Sequence, residues 1–170
     1  MTCHIRRNDN VPSNCEVVNA EQPRSPGILL WYAQIGDLLR PDAESFLAMF
    51  AEDGVMEFPY APLGGVTRVD GRAALASYLQ GFPEILQIDR MTEPVVHRTM
   101  NPEVVILEFG CVGRGVRTGE PYDHRYISVI TVRDSLIVHY ADYWNTLVAL
   151  RAVGGADALH AALGAGGAHA

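Results

Sequence analysis

Residues 137–147, IVHYADYWNTL, set one carboxylate, Asp142, inside a run of apolar and aromatic side chains. Tyr140 and Trp144 stand two residues to either side, so on an extended chain all three share a face. A carboxylate walled by aromatic rings loses hydration in its charged form, and its pKa rises toward neutrality. A carboxyl tuned in that way can take a proton and return it, typically contributing ~10²–10⁴-fold in rate. The chemistry within its reach is enolisation, dehydration, ring closure by a hydroxyl or carbon nucleophile, or acid-assisted epoxide opening. None of these needs a metal or an organic cofactor, and none is expected here.

Hairpin counting tests whether Asp142 faces inward. If Asp134-Ser135 is a two-residue loop, Arg133 pairs with Leu136. Counting outward then sets Val138 against Thr131, Tyr140 against Val129, Asp142 against Ile127 and Trp144 against Arg125. On this register Arg125, Ile127 and Val129 line the site with Tyr140, Asp142 and Trp144. The opposite face carries Tyr126, Ser128, Ile130, Val132, Ile137, His139, Ala141, Tyr143 and Asn145; Tyr126, Ile130, Val132, Ile137 and Tyr143 are too apolar to stay wet, which implies a homodimer. Continued through the preceding turns, the count pairs Ile127 with Val112 and Thr131 with Glu108. It also sets His97 near Ile106 on the site face. The competing reading of Asp142 is an ion pair with Arg125, which would lower its pKa and fix it in a structural role.

Other groups rank behind Asp142. Histidine as a residue type can exchange protons near neutrality, and His97 either shares the proton work or packs in the core. His124 and His139 point away from Asp142 on this register. The histidines share no short ligand spacing, so a metal site is not expected. Tyr32 and Tyr60 come from segments that rim the site, where a phenol can orient a substrate oxygen or steady an enolate. Glu57 should point to the far side of its strand from Phe58. The loop YAPLGGVTR is glycine-rich without phosphate-loop spacing and reads as a lip over the site. The catalytic candidates are thus Asp142, His97 and Tyr32, and the candidates for substrate contact are Tyr60, Phe58, Tyr140, Trp144, Arg125, Ile127 and Val129.

The elements that must position these residues are legible in the periodicity. Ser25-Pro26 opens a helix whose apolar positions are Ile28, Leu29, Tyr32, Ile35 and Leu39. A second helix begins near Pro41, carries Phe46, Leu47, Met49 and Phe50, and ends at Gly54; VMEFPY follows as a short strand. VDGRAALASYLQG reads as a third helix, capped by Asp70 and closed by Gly81. The period then changes to two in TEPVVHRTM, EVVILEFGCVG, YDHRYISVITV and LIVHYADYW, with NP, TGEP and RDS as turns. Helices first and a meander of strands afterwards indicate an α+β domain. Residues 1–24 read as a mobile tail, 25–152 as one domain and 153–170 as a partly disordered extension.

Composition limits the partners. The 170 residues carry a formal charge of −7, with 48% hydrophobic and 19% charged residues. Scattered Lys and Arg on an acidic chain argue against nucleic acid or an anionic membrane, because both demand a basic face. The three cysteines are odd in number and lack metal spacing, as expected of reduced thiols in the cytoplasm. A small-molecule substrate remains the expected partner.

FLAMFAEDGVMEFPYAP, VDGRAALASYLQ and YISVITVRDSLIVHYADYWNTL together resemble the SnoaL-like branch of the nuclear transport factor 2-like superfamily, known also through ketosteroid isomerase. The resemblance spans roughly residues 28–152. It implies a conical barrel, a strongly curved and mostly antiparallel sheet enclosing a pocket behind three N-terminal helices. Its members include cyclases, isomerases, dehydratases, epoxide hydrolases and non-catalytic binding domains, so fold alone does not name the reaction. The ketosteroid isomerase base would fall at Phe58 and its acidic donor near Val129, neither of which moves a proton. Phenazine-biosynthesis relatives instead resemble this chain at a late carboxylate that matches Asp142. The resemblance therefore implies a cofactor-independent cyclase or isomerase acting by general acid/base catalysis on an apolar, oxygenated intermediate of natural-product biosynthesis. The alternatives are an epoxide hydrolase or epoxide-opening cyclase, and a non-catalytic small-molecule-binding or dimerisation domain.

Overall fold

The computed structural model describes Leu38, Ala43 and residues 45–164. The expected N-terminal tail, the helix from Ser25 and the candidate Tyr32 lie outside the described residues.

A 3-10 turn at Leu47–Met49 leads directly into β1, Phe50–Glu57. Residues 50–54 were expected to finish a helix, and the structure corrects this. Phe50 is fully buried and aligns with Ile137 of the last strand, so sheet pairing overrides local helical spacing. Gly54 is not a helix end either: a Cβ there would stand 2.8 Å from the Ile137 carbonyl oxygen. Its lack of a side chain lets two strands approach.

The rest of the chain forms β2 (Arg68–Asp70), α1 (Arg72–Gln80), α2 (Phe82–Ile85), β3 (Leu86–Met91), β4 (Val95–Arg98), β5 (Val104–Gly115), β6 (Pro121–Arg133), β7 (Leu136–Tyr143), α3 (Thr146–Val153) and α4 (Ala156–Gly164). The third expected helix is α1, closed by Gly81 as read. Its N-cap is Gly71 rather than Asp70, whose carboxylate is taken by Arg68 at 2.9 Å. The four period-two segments are all strands. Strands β2 and β3 and helices α2, α3 and α4 were not anticipated.

The strands form one seven-stranded sheet, ordered β2-β1-β7-β6-β5-β3, with β4 also paired to β5. All pairings are antiparallel except β1 with β7. The architecture is α+β and mostly antiparallel as expected, but among the described residues the sheet does not close between β2 and β3, so the expected conical barrel is corrected to an open sheet. One sheet face packs with the helices. Leu75 and Tyr78 of α1, Ala149, Ala152 and Val153 of α3 and Leu159 of α4 join Val105, Leu107, Phe109, Tyr122, Ile130 and Tyr140 in a single core.

The hairpin turn is as counted: Asp134 and Ser135 both take positive φ, and Arg133 pairs with Leu136. The ladder beyond it is not. Val132 aligns with Ile137 and Thr131 with His139, so Val138 is an extra residue bulging from β7. Every later partner moves by one. Asp142 lies opposite Ser128, Tyr140 opposite Ile130 and Tyr143 opposite Ile127. The count across the preceding turn also slips, since Ile127 aligns with Glu108 and Thr131 with Val104.

Candidate functional site

Asp142 sits near the end of β7 with its side chain turned into the core, and only 8% of the residue is exposed. The bulge at Val138 sets which neighbours it meets. Because the shift aligns Asp142 with Ser128, the inward residues of β6 are Tyr122, His124, Tyr126, Ser128, Ile130 and Val132. Ser128 is fully buried and its hydroxyl donates to Asp142 Oδ1 at 3.0 Å. Ser128 has one proton, so with it committed to Asp142 the hydroxyl accepts from Tyr140, whose phenol oxygen is 2.8 Å away. The result is a directed chain, Tyr140 O–H to Ser128 O–H to the carboxyl.

Burial dominates the electrostatics. It pushes the Asp142 carboxyl up to about 7, against the opposing pull of the Ser128 hydrogen bond, which favours the charged form. The phenols of Tyr78, Tyr122, Tyr126 and Tyr140 are pushed well above their ordinary range, first by burial, and the Asp142 charge adds to the effect in each. At neutral pH the site therefore holds one carboxyl poised between its two states among phenols that keep their protons. Such a set can accept a proton at Asp142 and offer O–H donors to a developing oxyanion.

The remaining candidates divide sharply. Tyr140 is brought to Asp142, and Phe50 and Tyr140 stack at 6.0 Å. Phe58 is buried against Tyr78, 5.0 Å between ring centroids, and Trp144 is partly buried against the core. Tyr60 is 61% exposed, its ring edge-on to Tyr143 at 5.4 Å; Tyr143 aligns with the outward Ile127, so Tyr60 stands on the outer side of β7 and not beside the carboxyl. Arg125, Ile127 and Val129, expected in the site, lie on the outer sheet face because of the one-residue shift. Arg125 is 3.6 Å from Glu108 and makes no ion pair with Asp142. His97 aligns with Ile106 as counted, but that pair lies on the outer face, where His97 contacts Glu108 at 2.8 Å. Glu57 also faces outward as expected, held by Arg68 at 2.6 Å and His139 at 3.0 Å. Asn145, expected to make a strand-end hydrogen bond, caps α3 by accepting from the Leu147 and Val148 amides. Among the described residues no three His, Cys, Asp or Glu side chains converge as a metal site.

Ser128, Tyr126, Tyr122 and His124 were missed as site residues. Their signal is present in β6 itself: Asp123, Arg125 and Arg133 all fall on the other parity. Three charges on one side of a long strand mark that side as the wet one, independent of any hairpin count.

Comparison with known proteins agrees with this architecture. The SnoaL-like domain model matches residues 32–140. The chain is 43% identical over 118 residues to the uncharacterised protein YesE of Bacillus subtilis (strain 168), spanning 69% of this chain and 80% of that one. It is 39% identical over 117 residues to an uncharacterised PhzA/B-like protein of Pseudomonas aeruginosa, spanning 69% and 82%. Among solved structures, a Bacillus subtilis protein provisionally called an isomerase matches with TM-score 0.66 at 40% identity, covering 76% of this chain and 93% of that one. A provisionally assigned polyketide cyclase from Xanthomonas campestris pv. campestris matches with TM-score 0.57 at 25% identity, covering 76% and 98%.

Proposed function

The chain belongs to the SnoaL-like family, and from that premise we propose that it is a cyclase or isomerase whose general acid/base is Asp142. The observation that carries this reading is a buried carboxyl held near pH 7 by burial, with a single serine hydroxyl donating to it. The names given to its relatives, an isomerase, a polyketide cyclase and a PhzA/B-like protein, point the same way.

In the proposed reaction an apolar, oxygenated substrate enters the interior beside β6 and β7. The Asp142 carboxylate removes a proton from a carbon next to a carbonyl group, and the electron pair moves onto oxygen as an enolate. A phenol of the site donates a hydrogen bond to that oxygen. The protonated Asp142 then returns the proton to another carbon of the enolate, which is an isomerisation. Alternatively, the enolate carbon attacks a second carbonyl and Asp142 protonates the new alkoxide, which closes a ring. The proton leaves and returns at one group, so the sequence balances without a redox partner or a cofactor. Acid-assisted epoxide opening is a second reading, favoured by the Ser128 and Tyr140 hydroxyls beside the acid. The non-catalytic reading expected Asp142 locked by Arg125 and a shallow or filled cavity; against its first part, Arg125 is engaged with Glu108 on the far side of the sheet.

The test is to incubate a metabolite extract with the protein in deuterium oxide and follow products by mass spectrometry. Wild type should convert a compound with deuterium uptake on carbon, and Asp142→Asn should slow this by ~10²–10⁴-fold. An Asp142→Asn variant as active as wild type would end the proposal.

A further inference from the structure

His124 is a buried polar side chain that the reaction above does not use. It is 8% exposed, and among the described residues neither ring nitrogen has a hydrogen-bond partner. Buried polar atoms in folded proteins are nearly always paired, so two orphans on one ring call for a cause. The described neighbours on its own strand face supply none. Tyr122 and Tyr126 flank the imidazole on the same strand face with centroids at 4.5 and 4.6 Å. Their hydroxyls, however, hydrogen-bond each other rather than the ring. Phe109 stacks on the Tyr126 ring at 5.0 Å, extending the aromatic wall. Burial also holds the imidazole below its ordinary pKa and so neutral, which leaves one N–H donor and one lone-pair acceptor.

The position completes the picture. Tyr122, His124, Tyr126 and Ser128 alternate along one face of β6, and Ser128 carries the bond to Asp142. His124 is four residues from Ser128, roughly 13 Å along the strand. We propose that His124 is a second polar anchor of the interior site, exchanging a hydrogen bond with a hydroxyl or carbonyl oxygen of the ligand at the end remote from Asp142. The proposal deepens the cyclase or isomerase reading and rests on it for the site, but it concerns binding and not turnover. The ligand it selects has an apolar body to meet the aromatic side chains of this face and carries an oxygen away from the reacting carbon.

Binding of 2-naphthol and naphthalene, followed by fluorescence titration of wild type, His124→Phe and Asp142→Asn, separates the two groups. Wild type should prefer 2-naphthol by about tenfold, the worth of one hydrogen bond to an otherwise unpaired group. The preference should vanish in His124→Phe and survive in Asp142→Asn. A second readout guards against misfolding: His124→Phe replaces unpaired nitrogens by a ring of similar shape, so its Tm should equal or exceed that of wild type. No preference in wild type, no binding of either probe, a preference retained in His124→Phe, or a preference lost only in Asp142→Asn each overturns the proposal. Loss of turnover in Asp142→Asn would be read separately, so either idea can fail without the other.

Discussion

At the scale of the residue, the proposed chemistry rests on a carboxyl whose burial is set against the stability of the fold. In the unfolded chain Asp142 titrates near 3.8, and in the fold near 7. Below about pH 4 both states hold the proton. Between about pH 4 and 7 the unfolded state gives it up while the folded state keeps it, so stability falls as pH rises. Above about pH 7 both are ionised and the loss, on the order of 4 kcal/mol, is complete. Urea unfolding between pH 5 and 8 should show this decline in wild type and a flatter profile in Asp142→Asn, which has no proton to release. Equal slopes in the two proteins would mean that Asp142 titrates normally. Ser128 works against the burial by donating to the charged form. Ser128→Ala should therefore move the Asp142 midpoint upward, read as an upward displacement of the pH–rate profile; an unmoved profile would remove Ser128 from the tuning.

At the scale of the element, the decisive object is a single extra residue in β7. Asp142 was legible as the inward acid because a carboxylate between Tyr140 and Trp144 is conspicuous on either register. Its partners were not legible, because Val138 bulges out of the ladder and a count from the turn cannot see a bulge. That slip exchanged Arg125, Ile127 and Val129 for Tyr126, Ser128 and Ile130. The long strands were readable from alternation alone, whereas β3 was hidden because it presents a mostly exposed edge without an apolar stripe. The extra helices escaped for another reason. α3 packs closely where Gly115 leaves room: a Cβ there would collide with the Ala152 carbonyl oxygen. Gly115→Ala should consequently cost about 2 kcal/mol or more in a urea melt, since backbone rather than a flexible side chain must yield. The turn offers the reverse effect. Ser135 has φ 62° next to Asp134 at φ 51°, as a type I′ turn requires, and only glycine takes that region without strain. Ser135→Gly should raise stability by about 1 kcal/mol, and a decrease would show that its side chain contributes something the geometry does not reveal.

At the scale of the whole molecule, the corrected register also relocates the surface through which the chain would meet its partner. Tyr126, Ile130, Val132 and Ile137, first assigned to an outer interface, are needed in the core or the site. The outer face instead aligns Ile106 with Val129, and Ile127 with both Glu108 and Tyr143. Ile127 is 45% exposed at the centre of this group and Val95 is 53% exposed beside Glu108. Around these apolar residues stand His97 and Arg125, both reaching Glu108. A patch with apolar residues at its middle and both signs of charge at its margin can complement itself across a two-fold axis. We propose that this outer face joins two copies of the chain, leaving the inner face of each free for its own ligand. Light scattering should give the mass of a dimer for wild type. Ile127→Arg, which buries a charge at the contact but leaves the core untouched, should give a monomer with an unchanged circular dichroism spectrum. A monomeric wild type, or an Ile127→Arg variant that still dimerises, would place the interface elsewhere or remove it.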